Sequence, residues 1–183
     1  MTMSLYVGLP ISKGVASTLE KAQGGLHAGL MVPPSEMHVT VADLGEQSED
    51  LVEPIKRELG AISLPPVNIE IDGLGTIGGN APEELYAEVK TEAGLKNLNK
   101  MVGRAVREAG VPLAHTRYVP RVTMARFGAM GQHDLKQIMS FLSRRAALSA
   151  GPFMVMDFNL YGISDGPTGP EHTIVETFAL EGF

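Results

Sequence analysis

The chain of 183 residues contains no cysteine. Disulfides, thiolate catalysis and cysteine-ligated zinc or iron–sulfur sites are therefore excluded. The same absence fits a reducing compartment, and a cytoplasmic location is expected. Tryptophan is absent too, and aromatics make up only 5% of the chain. No apolar run approaches the ~20 residues of a membrane helix, so no membrane partner is expected. The opening MTMSLYVGLPISK lacks a basic n-region and a small-residue cleavage site, the marks of a secretory signal. Cations are in deficit: 15 Lys and Arg stand against 21 Asp and Glu, a formal net charge of −6. That argues against a broad basic surface tracking a DNA duplex, but leaves room for a small positive pocket around one phosphate. The five histidines show no metal-ligand spacing, and no metal or other cofactor is expected.

Hydrophobic residues make up 44% and charged residues 20%, the balance of a globular protein rather than a disordered chain. The length suits one domain over residues 1–183, built from two lobes. Short strands and helices alternate. Strands are expected at Leu5 to Leu9, Met37 to Asp43, Val67 to Ile71, Leu85 to Lys90, Arg117 to Phe127, Phe153 to Tyr161 and Thr173 to Leu180. Helices are expected at Ser12 to Gln23, Ser48 to Leu59 (kinked or shortened by Pro54), Leu95 to Ala109 and Asp134 to Ala147. In the third helix Leu95, Leu98, Val102, Ala105, Val106 and Ala109 form one apolar stripe. The order predicts an α+β fold. Gly73, Gly75 and Gly78 fit G-x-G-x-x-G, but no helix follows, so the segment reads as a loose turn between strands rather than a dinucleotide site.

A weak internal repeat links the halves. Residues 38–45 read HVTVADLG and residues 121–128 read RVTMARFG. Strand alternation puts His38 and Thr40 on one face, about 7 Å apart, with Val39 and Val41 opposite. Arg121 and Thr123 hold the equivalent face of the second strand. An imidazole beside a hydroxyl suits a phosphate oxygen: the hydroxyl donates, and the ring donates or takes a proton. The Arg121 fork matches a phosphate and stays charged. Taken alone, His38 is equally a ring satisfied by a backbone carbonyl, and Arg121 a solvated strand charge. If the lobes face each other, the four side chains converge on one cleft. Parity turns Asp43 and Arg126 away from that face. Tyr6 and Tyr118 read as core.

The stretch VPPSEMHVTVADLGE resembles the first His-x-Thr motif of the 2H phosphoesterases, most closely the 2′-5′ RNA ligase / RNA 2′,3′-cyclic phosphodiesterase family. LYVGLPI resembles that family's first strand, and the Leu95–Gly110 helix followed by YVPRVTMARFG resembles its second motif. The resemblance implies a bilobal, pseudo-two-fold fold with two antiparallel sheets facing a cleft and helices outside. It implies metal-independent chemistry on a nucleotide or RNA end bearing a 2′,3′-cyclic phosphate, with one histidine as base and another as acid. His38 and Thr40 carry the first motif, and Thr123 half of the second. Arg121 stands where the second histidine belongs, and it cannot shuttle a proton at neutral pH. Loss of one acid–base partner costs about 10²–10⁴ in rate, so the expectation is an attenuated phosphodiesterase. The alternative is a nucleotide- or phosphate-binding protein without turnover. His115 lies about 20 Å up an extended strand from Arg121. His172 precedes the last strand. Either could stand in for the missing ring.

Overall fold

The computed structural model describes residues 1–167 and 169–182. The elements in chain order are β1 (Thr2–Pro10), α1 (Lys13–Ala22), β2 (Leu30–Met31), β3 (His38–Ser48), α2 (Val52–Gly60), β4 (Val67–Ile77), β5 (Glu84–Val89), α3 (Ala93–Glu108), β6 (Arg121–Arg126), α4 (Gln132–Arg145), β7 (Ser149–Val155), β8 (Asp157–Gly166) and β9 (Gly169–Ala179). Short 3-10 turns lie at Pro34–Glu36 and Glu49–Leu51. Two antiparallel sheets result, ordered β3-β1-β8-β9 and β2-β6-β5-β4-β7. The α+β expectation and the paired antiparallel sheets hold. Among the described residues no helix is long and apolar enough to cross a membrane.

Local chemistry sets the helix ends. The Ser12 hydroxyl accepts from the Val15 amide at 3.3 Å and caps α1. Asp134 accepts from the Gly131 amide at the start of α4, where its charge suits the helix dipole. Pro54 falls in the first turn of α2, where its missing N–H has no intrahelical partner to lose, and the α-helix starts at Val52 rather than Ser48, shortened as expected. The α3 stripe packs its apolar face inward, with Leu95, Leu98, Val102 and Val106 fully buried. That helix touches both β3 and β4 and so bridges the two sheets. α2 packs on β9 and α4 on β4. The core runs through Leu5, Val7, Leu9, Ile69, Ile71, Leu85, Phe141 and Phe158. Truncating such a phenylalanine costs about 3–5 kcal/mol.

Three sequence expectations are corrected, and one short strand was not expected. The glycine-rich segment is not all turn: β4 runs on to Ile77. The strand expected from Arg117 begins only at Arg121, because Pro120 has no N–H for the ladder. The strand expected over Phe153–Tyr161 is two strands in different sheets, divided at Met156. The two-residue strand β2, pairing Leu30 with Arg126, is too short to leave a periodic signature.

Candidate functional site

One face of the first sheet carries His38 and Thr40 on β3, Tyr6 on β1, Asn159 and Tyr161 on β8, and His172 on β9. Register makes this set: Tyr6 lies opposite Tyr161, Gly8 opposite Thr40 and Asn159, and Ile163 opposite His172. Gly8 lets the aromatic rings close over β1. A Cβ there would sit 3.2 Å from the Tyr161 ring and 3.3 Å from the Tyr6 ring.

The rings form one cluster. Tyr6 stacks on His38 at 4.6 Å between centroids and on Tyr161 at 4.8 Å. His172 meets Tyr6 edge-on at 5.4 Å and lies 5.7 Å from His38. His38 Nδ1 is 2.8 Å from the Glu36 carbonyl oxygen, so that nitrogen carries a proton and donates it. The Tyr6 hydroxyl, only loosely placed at 3.5 Å from that nitrogen, bonds His172 Nδ1 at 2.8 Å. Among the described residues neither Nε2 atom has a hydrogen-bond partner. These rings border a cavity of about 520 Å³, walled on the far side by Lys13 and Ser17 of α1 and by the turn at Pro34.

Burial dominates the electrostatics. It pushes the His38 imidazole down to about 4, with the Glu36 carbonyl opposing and the His172 and Arg126 charges adding to the fall. His172 is lowered by burial as well, with the Glu36 carboxylate opposing and Arg126 assisting. Burial raises the Tyr6 phenol above its ordinary range. At neutral pH both histidines are neutral in the free protein.

The second motif strand, β6, carries Arg121 and Thr123. Arg121 lies over the Tyr86 ring of β5, 5.8 Å from its centroid. Gly75 of β4 makes room for that ring: a Cβ there would fall 2.5 Å from it. The Thr123 hydroxyl donates to the Glu84 carboxylate at 3.1 Å. Tyr118 ties the two motif strands together. Its hydroxyl donates to the Thr40 carbonyl at 2.8 Å, and the Arg121 charge opposes the rise that burial gives its phenol. Tyr118 is thus a brace between motifs and more than core filling.

Both motif strands carry a bulge directly after the threonine. Gly8 pairs with Thr40 and Val7 with Ala42, so Val41 is skipped; Tyr86 pairs with Thr123 and Leu85 with Ala125, so Met124 is skipped. A skipped residue reverses the parity beyond it. Arg126 therefore shares the face of Thr123, opposite Glu84, and its charge reaches Tyr6, His38 and His172. The expectation that Asp43 and Arg126 point away is corrected: plain alternation cannot register an inserted residue.

The predicted residues fall into two adjoining cavities. His38 lines the first, whereas Thr40 and Arg121 line a second of about 770 Å³ between α3 and the 113–119 segment. Thr123 lines neither. His115 lies on the exposed rim of the second cavity, away from His38. The second cavity gathers Lys100, Arg104, Arg107, Arg117 and Arg121 against the single carboxylate of Asp43. Among the described residues no cluster of His, Asp and Glu is arranged to hold a metal.

Comparison with known proteins bears on the family and the fold. The model of the LigT-like phosphoesterase family matches residues 9–84. The chain is 22% identical over 180 residues to the RNA 2′,3′-cyclic phosphodiesterase of Archaeoglobus fulgidus, covering 96% of this chain and 99% of the relative. It is 26% identical over 128 residues to that of Geobacillus stearothermophilus, covering 66% of this chain and 41% of that relative's length. Among solved structures, a Thermus thermophilus protein superposes with a TM-score of 0.79 at 23% identity, covering 98% of this chain and 99% of the other. Escherichia coli LigT in complex with 3′-AMP gives 0.79 at 18% identity, with the same coverage.

Proposed function

We propose that the chain, whose residues 9–84 match the LigT-like phosphoesterase model and which is 22% identical over 180 residues to an RNA 2′,3′-cyclic phosphodiesterase, is a phosphoesterase of that family and hydrolyses the 2′,3′-cyclic phosphate at an RNA end to a monoester. The observation that carries this reading is His38. Its Nδ1 proton is held on the Glu36 carbonyl, which leaves the Nε2 lone pair facing a cavity on a ring that stays neutral at physiological pH. Such a nitrogen is a general base for water.

The other groups supply binding and charge. The Thr40 hydroxyl donates to a phosphate oxygen. Arg121, on the wall of the second cavity, and Arg126, whose charge reaches both histidines, supply permanent cations for the charge that grows on the phosphorane oxygens. Thr123, held on Glu84, contributes once its hydroxyl turns from that carboxylate. An RNA end is favoured over a free mononucleotide by the second cavity. It adjoins the motif residues and concentrates cations in a chain whose net charge is −6. Phosphates of the upstream nucleotides would lie there.

The test is the rate on a cyclic-ended oligoribonucleotide. His38→Ala should lower kcat by about 10²–10⁴. A wild-type rate in that variant would overturn the mechanism. Arg121, in place of a second imidazole, favours one other reading, a binding protein without turnover. Saturable binding of the cyclic end with no product would select it.

A further inference from the structure

We infer that His172 on β9 is the second proton-transfer group of this site, replacing the imidazole that Arg121 displaced. The inference rests on the reading of the cleft as a cyclic phosphodiesterase centre. Ring opening needs two proton movements: one from the attacking water, one to the departing ribose oxygen. Arg121 performs neither, because guanidinium does not give up its proton at neutral pH. Among the described histidines, His172 is the one packed against His38, at 5.7 Å between ring centroids, and both rings border the same cavity.

The hydrogen bonds assign the two roles. His38 donates its Nδ1 proton to the Glu36 carbonyl, so its Nε2 is an acceptor. Because His38 Nδ1 is a donor, it cannot also accept from Tyr6. The Tyr6 hydroxyl, with no acceptor on His38, is assigned as the donor to His172 Nδ1, and in that tautomer the neutral His172 ring carries its proton on Nε2. One ring thus presents a lone pair and the other an N–H. When the phosphate anion enters, His172 takes a proton from solvent at Nδ1, and the Tyr6 hydroxyl turns to accept it. That hydroxyl serves either charge state.

The step then balances. Water oxygen forms a bond to phosphorus while His38 Nε2 takes its proton. The bond from phosphorus to one ribose oxygen breaks, and that oxygen receives the Nε2 proton of His172. Protonated His38 and neutral His172 return to their starting states by exchange with solvent. No other reactant is required.

The titration of the pair is set by the groups around it. Tyr6 and Tyr161 press on the rings from β1 and β8, Glu36 acts from the 3-10 turn and Arg126 from β6. Lys13 and Glu20 of α1 complete the cavity wall. Burial and Arg126 oppose protonation of His172, and the Glu36 carboxylate favours it. The acid form of the free protein is consequently populated below the ordinary histidine range, and kcat/KM should fall as the pH rises towards neutrality.

The experiment measures hydrolysis of a 2′,3′-cyclic-ended oligoribonucleotide across the pH range for the full chain, His172→Ala, His172→Gly and Tyr6→Phe. Replacing His172 should lower kcat/KM by about 10²–10⁴ and abolish the high-pH fall. Added imidazole should restore part of the rate to His172→Gly. Tyr6→Phe should keep the fall but move it. If wild type turns over while His172→Ala stays within about threefold of it, a change too small for a lost proton donor, the inference is overturned. It is overturned equally if the variant slows but keeps an unshifted high-pH limb, the mark of a purely structural role. Absence of turnover in the wild type would instead overturn the phosphodiesterase reading itself, and this inference with it.

Discussion

Val41 and Met124 are the same bulge built twice, once in each motif strand, and a side-chain amide holds each. The Val41 carbonyl accepts from Asn99 Nδ2 of α3 at 2.8 Å. The Met124 carbonyl accepts from Gln23 Nε2, just past α1, at 2.9 Å. Each bulge turns the residue two places on back towards the cleft, which aims Arg126 at the histidines. The weak sequence repeat between residues 38–45 and 121–128 thus marks equivalent backbone, down to its irregularity.

Gln23 is 8% exposed and also donates to the Val32 carbonyl at 2.8 Å. Gln23→Leu removes the side-chain donor from both carbonyls, the Met124 oxygen keeping only its bond from the Val32 amide at 2.9 Å. The expected loss is about 1–3 kcal/mol, read as a lower urea midpoint with an unchanged m-value. Activity should fall further than global stability requires, because the Met124 bulge positions Arg126.

Arg121→Ala should lower kcat on a cyclic phosphate by about 10²–10³, the usual cost of removing one preorganised donor to developing charge. Arg121→Lys should recover little of this, since an ammonium lacks the planar fork that stacks on Tyr86. Steady-state kinetics of the two variants side by side check the point. A lysine variant at the wild-type rate would show that charge alone suffices.

The cationic cavity predicts a substrate-length effect. The double variant Lys100→Ala/Arg117→Ala should raise KM for a cyclic-ended oligonucleotide by about tenfold at low salt, as two phosphate contacts are lost. It should leave the rate on a cyclic mononucleotide unchanged. Both side chains are exposed on the cavity wall and touch no motif residue's hydrogen bonds. Equal effects on both substrates would place the oligonucleotide elsewhere.

The His38 shift makes stability depend on pH. In the unfolded chain the ring titrates near its ordinary 6.5, and in the fold near 4. Between those values the unfolded state binds more protons, so stability falls as pH drops through that window. The expected contribution is on the order of 1–3 kcal/mol. Urea unfolding at pH 7 and pH 4.5 should show a steeper loss in wild type than in His38→Gln.

Much of this was legible in the sequence. The polar faces of the motif strands follow from simple alternation, and the α3 stripe from helical periodicity. The two-sheet arrangement followed from the family resemblance. Three features were not legible. An inserted residue leaves no mark in a pattern of apolar and polar positions, so the bulges and the aim of Arg126 were missed. The run from Phe153 to Tyr161 is rich in apolar residues on both sides of Met156, and nothing in it signals a change of sheet. His172 lies 166 positions from its partner Tyr6. Its place beside His38 depends on the strand order β3-β1-β8-β9, which no local spacing encodes.

The central claim is turnover of a cyclic phosphate, and ³¹P NMR of the full chain with a 2′,3′-cyclic-ended oligoribonucleotide tests it most directly. The account predicts that the cyclic resonance gives way to that of a single monoester isomer, and that His38→Ala leaves it in place. A cyclic resonance that persists unchanged with the wild-type protein, while the oligonucleotide is demonstrably bound, would contradict the account.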